Sequence, residues 1–312
     1  MILVIKSGGE AALAEWRALF GEYAPQLDVR WWDDPTVPAA EVGYALVWEP
    51  QPGRLAGYPN LRLVCSSGAG VDHITADPTW PRHLPLVRMA EPENAQRMGE
   101  YVALAALALL RDAKRIAVAQ ASGSWDYFEP PRTAPETRAG VLGLGHLGRH
   151  SAKMLRDIGF VTAGWSATRK FIPDIESFCG DAELERFLAR TDILVCLLPQ
   201  TPQTAGILCA RSLALLPAGA GVVNVGRGAH LVVPDLLAAL DSGHLGGAVL
   251  DVFDAEPLAP GDPLWRHPKV IVTPHLASSA SRRARARYVA AVIAAFERGA
   301  DLPNLFDPAR GY

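Results

Sequence analysis

The sequence predicts an α/β protein of two doubly wound parallel-sheet domains. Its 312 residues are too many for one ordinary core and suggest two domains, each large enough to bury a sizeable interior. Short apolar runs alternate with segments of helical period, the arrangement of parallel strands joined by crossover helices. A long helical stretch in mid-chain divides this alternation into two series, and a glycine cluster in the second stands between an apolar run and a helix.

The first series opens with the apolar run Ile2–Ile5 and a helix over Ala11–Tyr23, followed by strands at Asp28–Trp32, Tyr44–Trp48, Leu61–Ser66 and Leu86–Arg88. The dividing helix spans about Ala95–Ala119. After it come strands at Ala139–Leu142, Thr162–Trp165, Ile193–Leu197, Gly221–Asn224, Gly247–Asp251 and Val270–Thr273. The loop Ser122–Thr137, with Gly123, Pro130, Pro131 and Pro135, lies inside the second series and is an excursion rather than a linker. A last helix, Ser278–Arg298, is expected to cross back to the first domain, with Asp301–Tyr312 as an extended tail over it. The expected boundaries are 1–95 for the first domain, 96–278 for the second and 279–312 for the returning helix and tail.

Composition excludes several classes of function. The 30 Lys and Arg against 33 Asp and Glu give a net charge of −3, which points neither to nucleic acid nor to an anionic membrane. One basic cluster, Arg282, Arg283, Arg285 and Arg287, reads as a solvated helix face. Cys65, Cys179, Cys196 and Cys209 lie far apart without CxxC spacing, so they are expected to be reduced and mostly buried, with no disulfide and no metal site. Met1 leads straight into a strand-like run, and no long apolar stretch follows, so a cytoplasmic protein is expected.

The glycine cluster Gly143-Leu144-Gly145-His146-Leu147-Gly148 follows the strand Ala139–Leu142 and opens a helix over Arg149–Ile158. That context is what a dinucleotide fingerprint requires: a tight turn, then close approach of a pyrophosphate, then tight helix-strand packing. The pyrophosphate would sit at the helix N-terminus, where N–H groups and the dipole favour negative charge. The next strand decides the cofactor. An acid at its end would bind the ribose hydroxyls, but this chain reads Gly164-Trp165-Ser166-Ala167-Thr168-Arg169-Lys170. A hydroxyl from Ser166 and the cations Arg169 and Lys170 favour the extra phosphate of NADP, so NADPH is expected over NADH. A solvated basic pair is the duller reading of the same residues.

Several further motifs stand in one order: Gly68–Asp72 (Gly-Ala-Gly-Val-Asp), Trp165–Lys170, Leu197–Pro202, Asn224–Gly228 (Asn-Val-Gly-Arg-Gly), Leu250–Leu258, Pro263–Pro268, Thr273-Pro274-His275, and the terminal Arg310-Gly311-Tyr312. On these the chain resembles the D-isomer-specific 2-hydroxyacid dehydrogenase family over essentially its whole length. Trp165–Lys170 and the terminal tripeptide resemble its glyoxylate/hydroxypyruvate reductase A branch. The resemblance implies a central Rossmann dinucleotide-binding domain, a flavodoxin-like substrate domain built from both chain ends, a cleft between them, and a homodimer joined through the central domains.

Reducing a 2-keto acid calls for a cation on the carboxylate and carbonyl, a hydride donor and a proton for the developing alkoxide. Arg227 suits the first role, since its planar fork binds two oxygens together. His275 suits proton delivery because imidazole titrates near neutrality, and a carboxylate at Glu256 bonded to its other nitrogen would orient it and favour the charged ring. Each alone has a plainer reading, as a surface ion-pair partner, a loop acid or a core histidine. Together they fall at or just past the ends of expected parallel strands, where open α/β sheets place ligands.

Gly68, Ala69 and Gly70 would present consecutive N–H groups to the substrate carboxylate, a use that calls for small residues and permissive φ angles. Trp48 would wall the pocket, although an ordinary buried tryptophan fits as well. By the resemblance, Asp251 stands near the nicotinamide carboxamide, with a structural acid at a strand end as the alternative. Leu198, Pro199, Val225 and Gly226 would line the cofactor, and Met98 is expected in the core rather than at the substrate. The loop Pro92–Arg97 and the stretch Ser122–Thr137 match no assignable motif, which leaves the preferred keto acid open. Glyoxylate and hydroxypyruvate are expected from the branch. Rival readings are a dehydrogenase for another acid such as 2-ketogluconate, a phosphoglycerate or formate dehydrogenase, and an NADP-binding sensor module. Glu256 speaks against formate oxidation, which transfers no proton, and the intact triad of residues speaks against a pure sensor.

Overall fold

The computed structural model describes residues 1–311, and Tyr312 of the terminal motif lies outside them. In chain order the strands are β1 (Ile2–Lys6), β2 (Asp28–Trp31), β3 (Val42–Val47), β4 (Leu63–Ser66), β5 (Leu86–Val87), β6 (Arg138–Leu142), β7 (Val161–Ser166), β8 (Glu176–Cys179), β9 (Ile193–Cys196), β10 (Ala220–Asn224), β11 (Leu245–Leu250) and β12 (Val270–Val272). The helices are α1 (Leu13–Tyr23), α2 (Asp72–Thr75), α3 (Pro92–Leu110), α4 (Ala113–Ala121), α5 (His146–Ile158), α6 (Asp181–Ala189), α7 (Ala210–Ala214), α8 (Val233–Asp241) and α9 (Arg282–Glu297). The chain forms two compact units, one of Met1–Glu93 with Ser279–Tyr312 and one of Asn94–Ser278.

The first unit holds a five-stranded sheet in the order β2-β1-β3-β4-β5, parallel throughout. Apart from the edge strand β2, its strands are nearly continuous apolar runs, as expected of a parallel sheet covered on both faces. On one face Leu3, Ile5, Leu46 and Leu63 pack with Trp16 and Phe20 of α1 and with Val289 and Ile293 of α9. On the other, Val4, Ala45, Val47 and Val64 meet Trp32, Ile74 and Trp80. The last helix therefore does belong to the first unit's core. The tail follows it as an extra edge: Leu305 bridges Val87 antiparallel, Phe306 N–H donates to Leu86, and the Phe306 ring packs edge-on to Trp80.

The basic cluster on α9 is more than a solvated face. Arg282 pairs with Glu15, Arg283 with Glu22 and Arg287 with the buried Glu91, while Arg285 donates to the buried hydroxyls of Ser7 and Ser67 and lies over the Trp16 ring. The partners are remote in sequence, and sequence spacing could not show them.

The second unit holds a seven-stranded parallel sheet in the order β12-β11-β10-β9-β6-β7-β8. Strand β6 pairs with β7 on one side and with β9 on the other, so the order of connection reverses there. This is the topological switch point at whose carboxyl side open α/β sheets bind ligands. Buried layers line both faces, with Leu142, Trp165, Phe178, Phe187 and Leu250 in one and Met98, Tyr101, Val141, Val195 and Val223 in the other. Met98 is thus a core residue.

Three expectations need correction. The dividing helix is two helices, because Asp112 takes a left-handed φ of 49° between α3 and α4, a conformation aspartate tolerates better than most residues. Pro92–Arg97 is helical rather than a loop, with Pro92 as the first residue of α3, the position where its missing N–H costs nothing. Of the four cysteines, Cys65 and Cys196 are buried and burial pushes both thiols up to about 12, whereas Cys179 and Cys209 are half-buried. Strand β8 and helix α6 had no clear signal, since Glu176–Cys179 is a short edge strand of mixed polarity.

Candidate active site

The glycine cluster occupies the β6–α5 connection, and the structure itself requires glycine at two of its three positions. Gly143 adopts φ 100°, and a Cβ there would stand 2.7 Å from the carbonyl oxygen of Leu197. At Gly148 a Cβ would fall 1.7 Å from the Gly143 carbonyl oxygen, so the first turn of α5 packs on the strand only without a side chain. Gly145, the residue before α5, instead faces open space, and a methyl group there would meet nothing within 4 Å. The fit to a dinucleotide rests on this cradle: two glycines close the turn, and the third leaves its approach open beside the exposed His146 and the half-buried Leu147.

At the end of β7, the Ser166 hydroxyl donates to the Thr168 carbonyl at 2.7 Å. Arg169 extends into solvent with one Nη bonded to both oxygens of Glu183 at 2.8 Å, the other Nη reaching the Ser177 carbonyl. Glu183 lies in the first turn of α6 and also accepts the Cys179 N–H at 2.7 Å, which holds its carboxyl below the usual range together with Arg169. Lys170 is half-buried, its N–H donating to the Ser177 hydroxyl. The Arg169 side chain is therefore tied to β8 and α6, and Lys170 is tied to β8 through its backbone.

Arg227, Asp251 and His275 follow three neighbouring strands, β10, β11 and β12. The strands are in register through Asn224, Leu250 and Val272, so their ends are stepped at about 4.8 Å each. Main-chain bonds continue the ladder beyond the strands: Asp251 N–H donates to Asn224, Thr273 N–H to Leu250, and His275 N–H to Asp251 at 2.8 Å. Just past this bond His275 takes a left-handed φ of 50°, which turns the chain sharply at the imidazole. Its Nδ1 lies 2.7 Å from Glu256 Oε2, while Glu256 Oε1 accepts the Phe253 N–H at 2.9 Å. The glutamate is thus fixed at both oxygens and engages the imidazole at Nδ1.

Asp251 is buried, and its carboxylate is engaged within the protein. Oδ1 accepts from the Thr273 hydroxyl at 2.6 Å and from Leu276 N–H at 3.0 Å, and Oδ2 accepts from Ala277 N–H at 2.9 Å. Tyr101 extends the chain to Thr273 at 2.5 Å, its phenol pushed up to about 12 by burial. These bonds clamp the segment that carries His275. Of the two readings of Asp251, the structural one has contacts in this unit.

The Arg227 side chain donates to the Gly226 carbonyl at 2.8 Å. Leu198 and Pro199 leave β9 beside it, and a Cβ at Gly226 would lie 3.2 Å from the Leu198 carbonyl oxygen. Gly228 must also be glycine, because a Cβ there would stand 2.0 Å from the Phe253 carbonyl carbon. The expected cofactor-lining residues Leu198, Pro199, Val225, Gly226 and Arg227 are thus brought together at the ends of β9 and β10.

In the first unit, Trp48 and the Gly68–Gly70 segment follow β3 and β4. Gly68 does not take a positive φ, and its N–H donates to Ser66 Oγ at 3.2 Å. Glycine is needed because a Cβ would lie 2.6 Å from the Trp48 ring. His73, which carries no sequence signal, packs against Trp48 with centroids 4.2 Å apart and the rings tilted by 47°, and accepts Glu49 N–H at Nδ1. Only packing between segments remote in sequence reveals this cluster. Among the described residues no group of metal-ligating side chains occurs, and no helix is long and apolar enough to cross a membrane.

Residues 103–277 match the family model for the D-isomer specific 2-hydroxyacid dehydrogenase NAD binding domain. Similar solved structures extend over both units. A D-isomer specific 2-hydroxyacid dehydrogenase from Xanthobacter autotrophicus Py2, in complex with NADPH and MES, is 42% identical with a TM-score of 0.93, over 100% of this chain and 99% of that one. A probable 2-hydroxyacid dehydrogenase from Rhizobium etli CFN 42, in complex with NADP, HEPES and tartaric acid, is 36% identical with a TM-score of 0.90 over the same shares. The NADPH-dependent glyoxylate/hydroxypyruvate reductase of Sinorhizobium meliloti, with NADP and sulfate, is 36% identical with a TM-score of 0.92, again over 100% and 99%. The chain belongs to the D-isomer specific 2-hydroxyacid dehydrogenase family, a family of oxidoreductases.

Proposed function

We infer that this protein is an NADPH-dependent reductase of small 2-keto acids, taking glyoxylate to glycolate and hydroxypyruvate to D-glycerate. The observation that carries the reading is the Glu256–His275 pair at 2.7 Å, set one strand end beyond Asp251 and two beyond Arg227. Kinship with the Sinorhizobium reductase favours the two substrates. NADPH, when bound, supplies the hydride.

Gly143, Gly145, His146, Leu147 and Gly148 would hold its pyrophosphate, Ser166, Arg169 and Lys170 its 2′-phosphate, and Leu198, Pro199, Val225, Gly226 and Asp251 its nicotinamide end. The cations Arg169 and Lys170, with no acid at the end of β7, support the phosphate over a ribose hydroxyl. Arg227 binds the keto acid's carboxylate and carbonyl oxygens and draws electron density onto the carbonyl oxygen as carbon accepts hydride. His275 then passes the Nε2 proton to that oxygen, and Glu256 holds the ring's other face and stabilises its charged form. The substrate-contact roles expected of Trp48, Gly68, Ala69 and Gly70 belong to the same proposal.

Large apolar side chains stand exposed at Leu104, Ile116, Val118, Trp125 and Tyr127, all within the second unit. Exposure on this scale marks an interaction surface, and the reading assigns it to a homodimer formed through that unit. The scattered thiols fit a cytoplasmic enzyme. Turnover of a keto-acid panel with each nicotinamide cofactor tests the proposal. Oxidation of NADPH by glyoxylate or hydroxypyruvate is expected, and exclusive use of a larger sugar acid would refute the substrate assignment.

A further inference from the structure

One buried titratable side chain beside the site has no part in this scheme. His230 closes the short turn Gly228–His230 and has no exposed surface. Its Nδ1 accepts the backbone N–H of Arg227 at 3.0 Å, and its Nε2 lies 3.2 Å from the Pro199 carbonyl oxygen. A ring nitrogen that accepts an N–H carries no proton, so the imidazole is the neutral Nε2–H tautomer and donates to Pro199. Arg227 is held at its carbonyl as well, by the His230 N–H at 3.2 Å and by the amide of the buried Asn224 at 2.9 Å. Gly226 makes room for the ring, since a Cβ there would stand 2.9 Å from Nδ1.

We propose that His230 is a positioning residue which fixes the backbone from which the Arg227 guanidinium is aimed and ties that turn to the Leu198–Pro199 loop. The proposal rests on the role given above to Arg227. Burial makes both bonds matter: a backbone N–H left without an acceptor away from water shifts toward another partner, and Arg227 shifts with it. The two nitrogens have separable tasks. An asparagine places its oxygen near Nδ1, a glutamine places its amide near Nε2, and a phenylalanine fills the space with neither.

Loss of the Nδ1 acceptor in His230→Gln and His230→Phe should lower kcat/KM for the keto acid about tenfold or more, the size expected when a buried donor is orphaned. His230→Asn should stay within about threefold of the parent in kcat/KM for the keto acid while raising KM for NADPH, because only the tie to Pro199 is gone. A melting temperature for each variant separates these effects from unfolding. If asparagine rescues no better than phenylalanine, or if all three variants match the parent, the proposal is wrong. Long-range 15N–1H spectra of histidine-labelled parent protein give a test that needs no turnover: an unprotonated Nδ1 and a protonated Nε2 at His230 are expected near neutral pH. A protonated Nδ1 would overturn the proposal even in an active enzyme. Inactivity of the parent on every keto acid, with the expected tautomer present, would instead count against the functional reading.

Discussion

In the proposed reaction His275 is the proton donor, and three groups decide how it stands. Glu256 fixes its ring, the Asp251 backbone carbonyl accepts its N–H, and the Asp251 carboxylate holds the residues on either side. Removing the ring in His275→Ala should lower kcat by about 10²- to 10⁴-fold, the usual contribution of a positioned acid, while the dissociation constant for NADPH stays near that of the parent. Arg227→Lys keeps the charge but loses the fork, so kcat/KM for the keto acid should fall steeply with little change in NADPH affinity. A lysine variant with parental kcat/KM would remove Arg227 from the mechanism. Arg227, Glu256 and His275 were legible in the sequence because each stands at or beyond a strand end, and strand ends can be read from apolar runs. The Trp48–Gly68 contact, the Asp251 clamp and the buried His230 were not. Each depends on which backbone groups lie within hydrogen-bond reach across loops, and no one-dimensional pattern encodes that.

The β6–α5 connection shows how an element can be both a packing solution and a binding cradle. Gly148→Ala should compromise folding of the second unit, because its Cβ would occupy the Gly143 carbonyl oxygen; a melting temperature lowered by several degrees or loss of soluble protein is expected. Gly145→Ala has open space for its methyl and should leave the melting temperature unchanged while weakening NADPH binding. Equal effects of the two on stability would contradict the division of labour between them. On the proposed reading the next strand carries the cofactor choice, and Arg169→Ala with Lys170→Ala should raise KM for NADPH by about tenfold or more, with NADH little affected. Elements with strong apolar character were read correctly from sequence. The failures came where a local choice interrupts a uniform pattern: Asp112 breaks one alanine-rich helix into α3 and α4, and the short polar β8 is a strand only by virtue of pairing with β7.

Across the whole molecule, two parallel sheets with different strand orders emerge from one alternating sequence. The alternation predicts the class, and the reversal between β6 and β9 puts the dinucleotide cradle at the switch point. That the chain's last helix returns to the first unit was also legible, although the remote acids that pair with its arginines were not. The exposed apolar residues between Leu104 and Tyr127 give a prediction at this scale. The protein should run as a dimer in light scattering, and Leu104→Glu with Trp125→Ser should shift it to a monomer; an unaltered mass would place the subunit contact elsewhere.

The most direct test of the central claim is the loss of NADPH absorbance when the purified protein meets glyoxylate or hydroxypyruvate, run beside the His275→Ala and Arg227→Ala variants. The account predicts rapid NADPH oxidation by the parent, slower oxidation of NADH, and almost none by either variant. An inert parent that still binds NADPH would contradict it, as would a variant that keeps the parental rate.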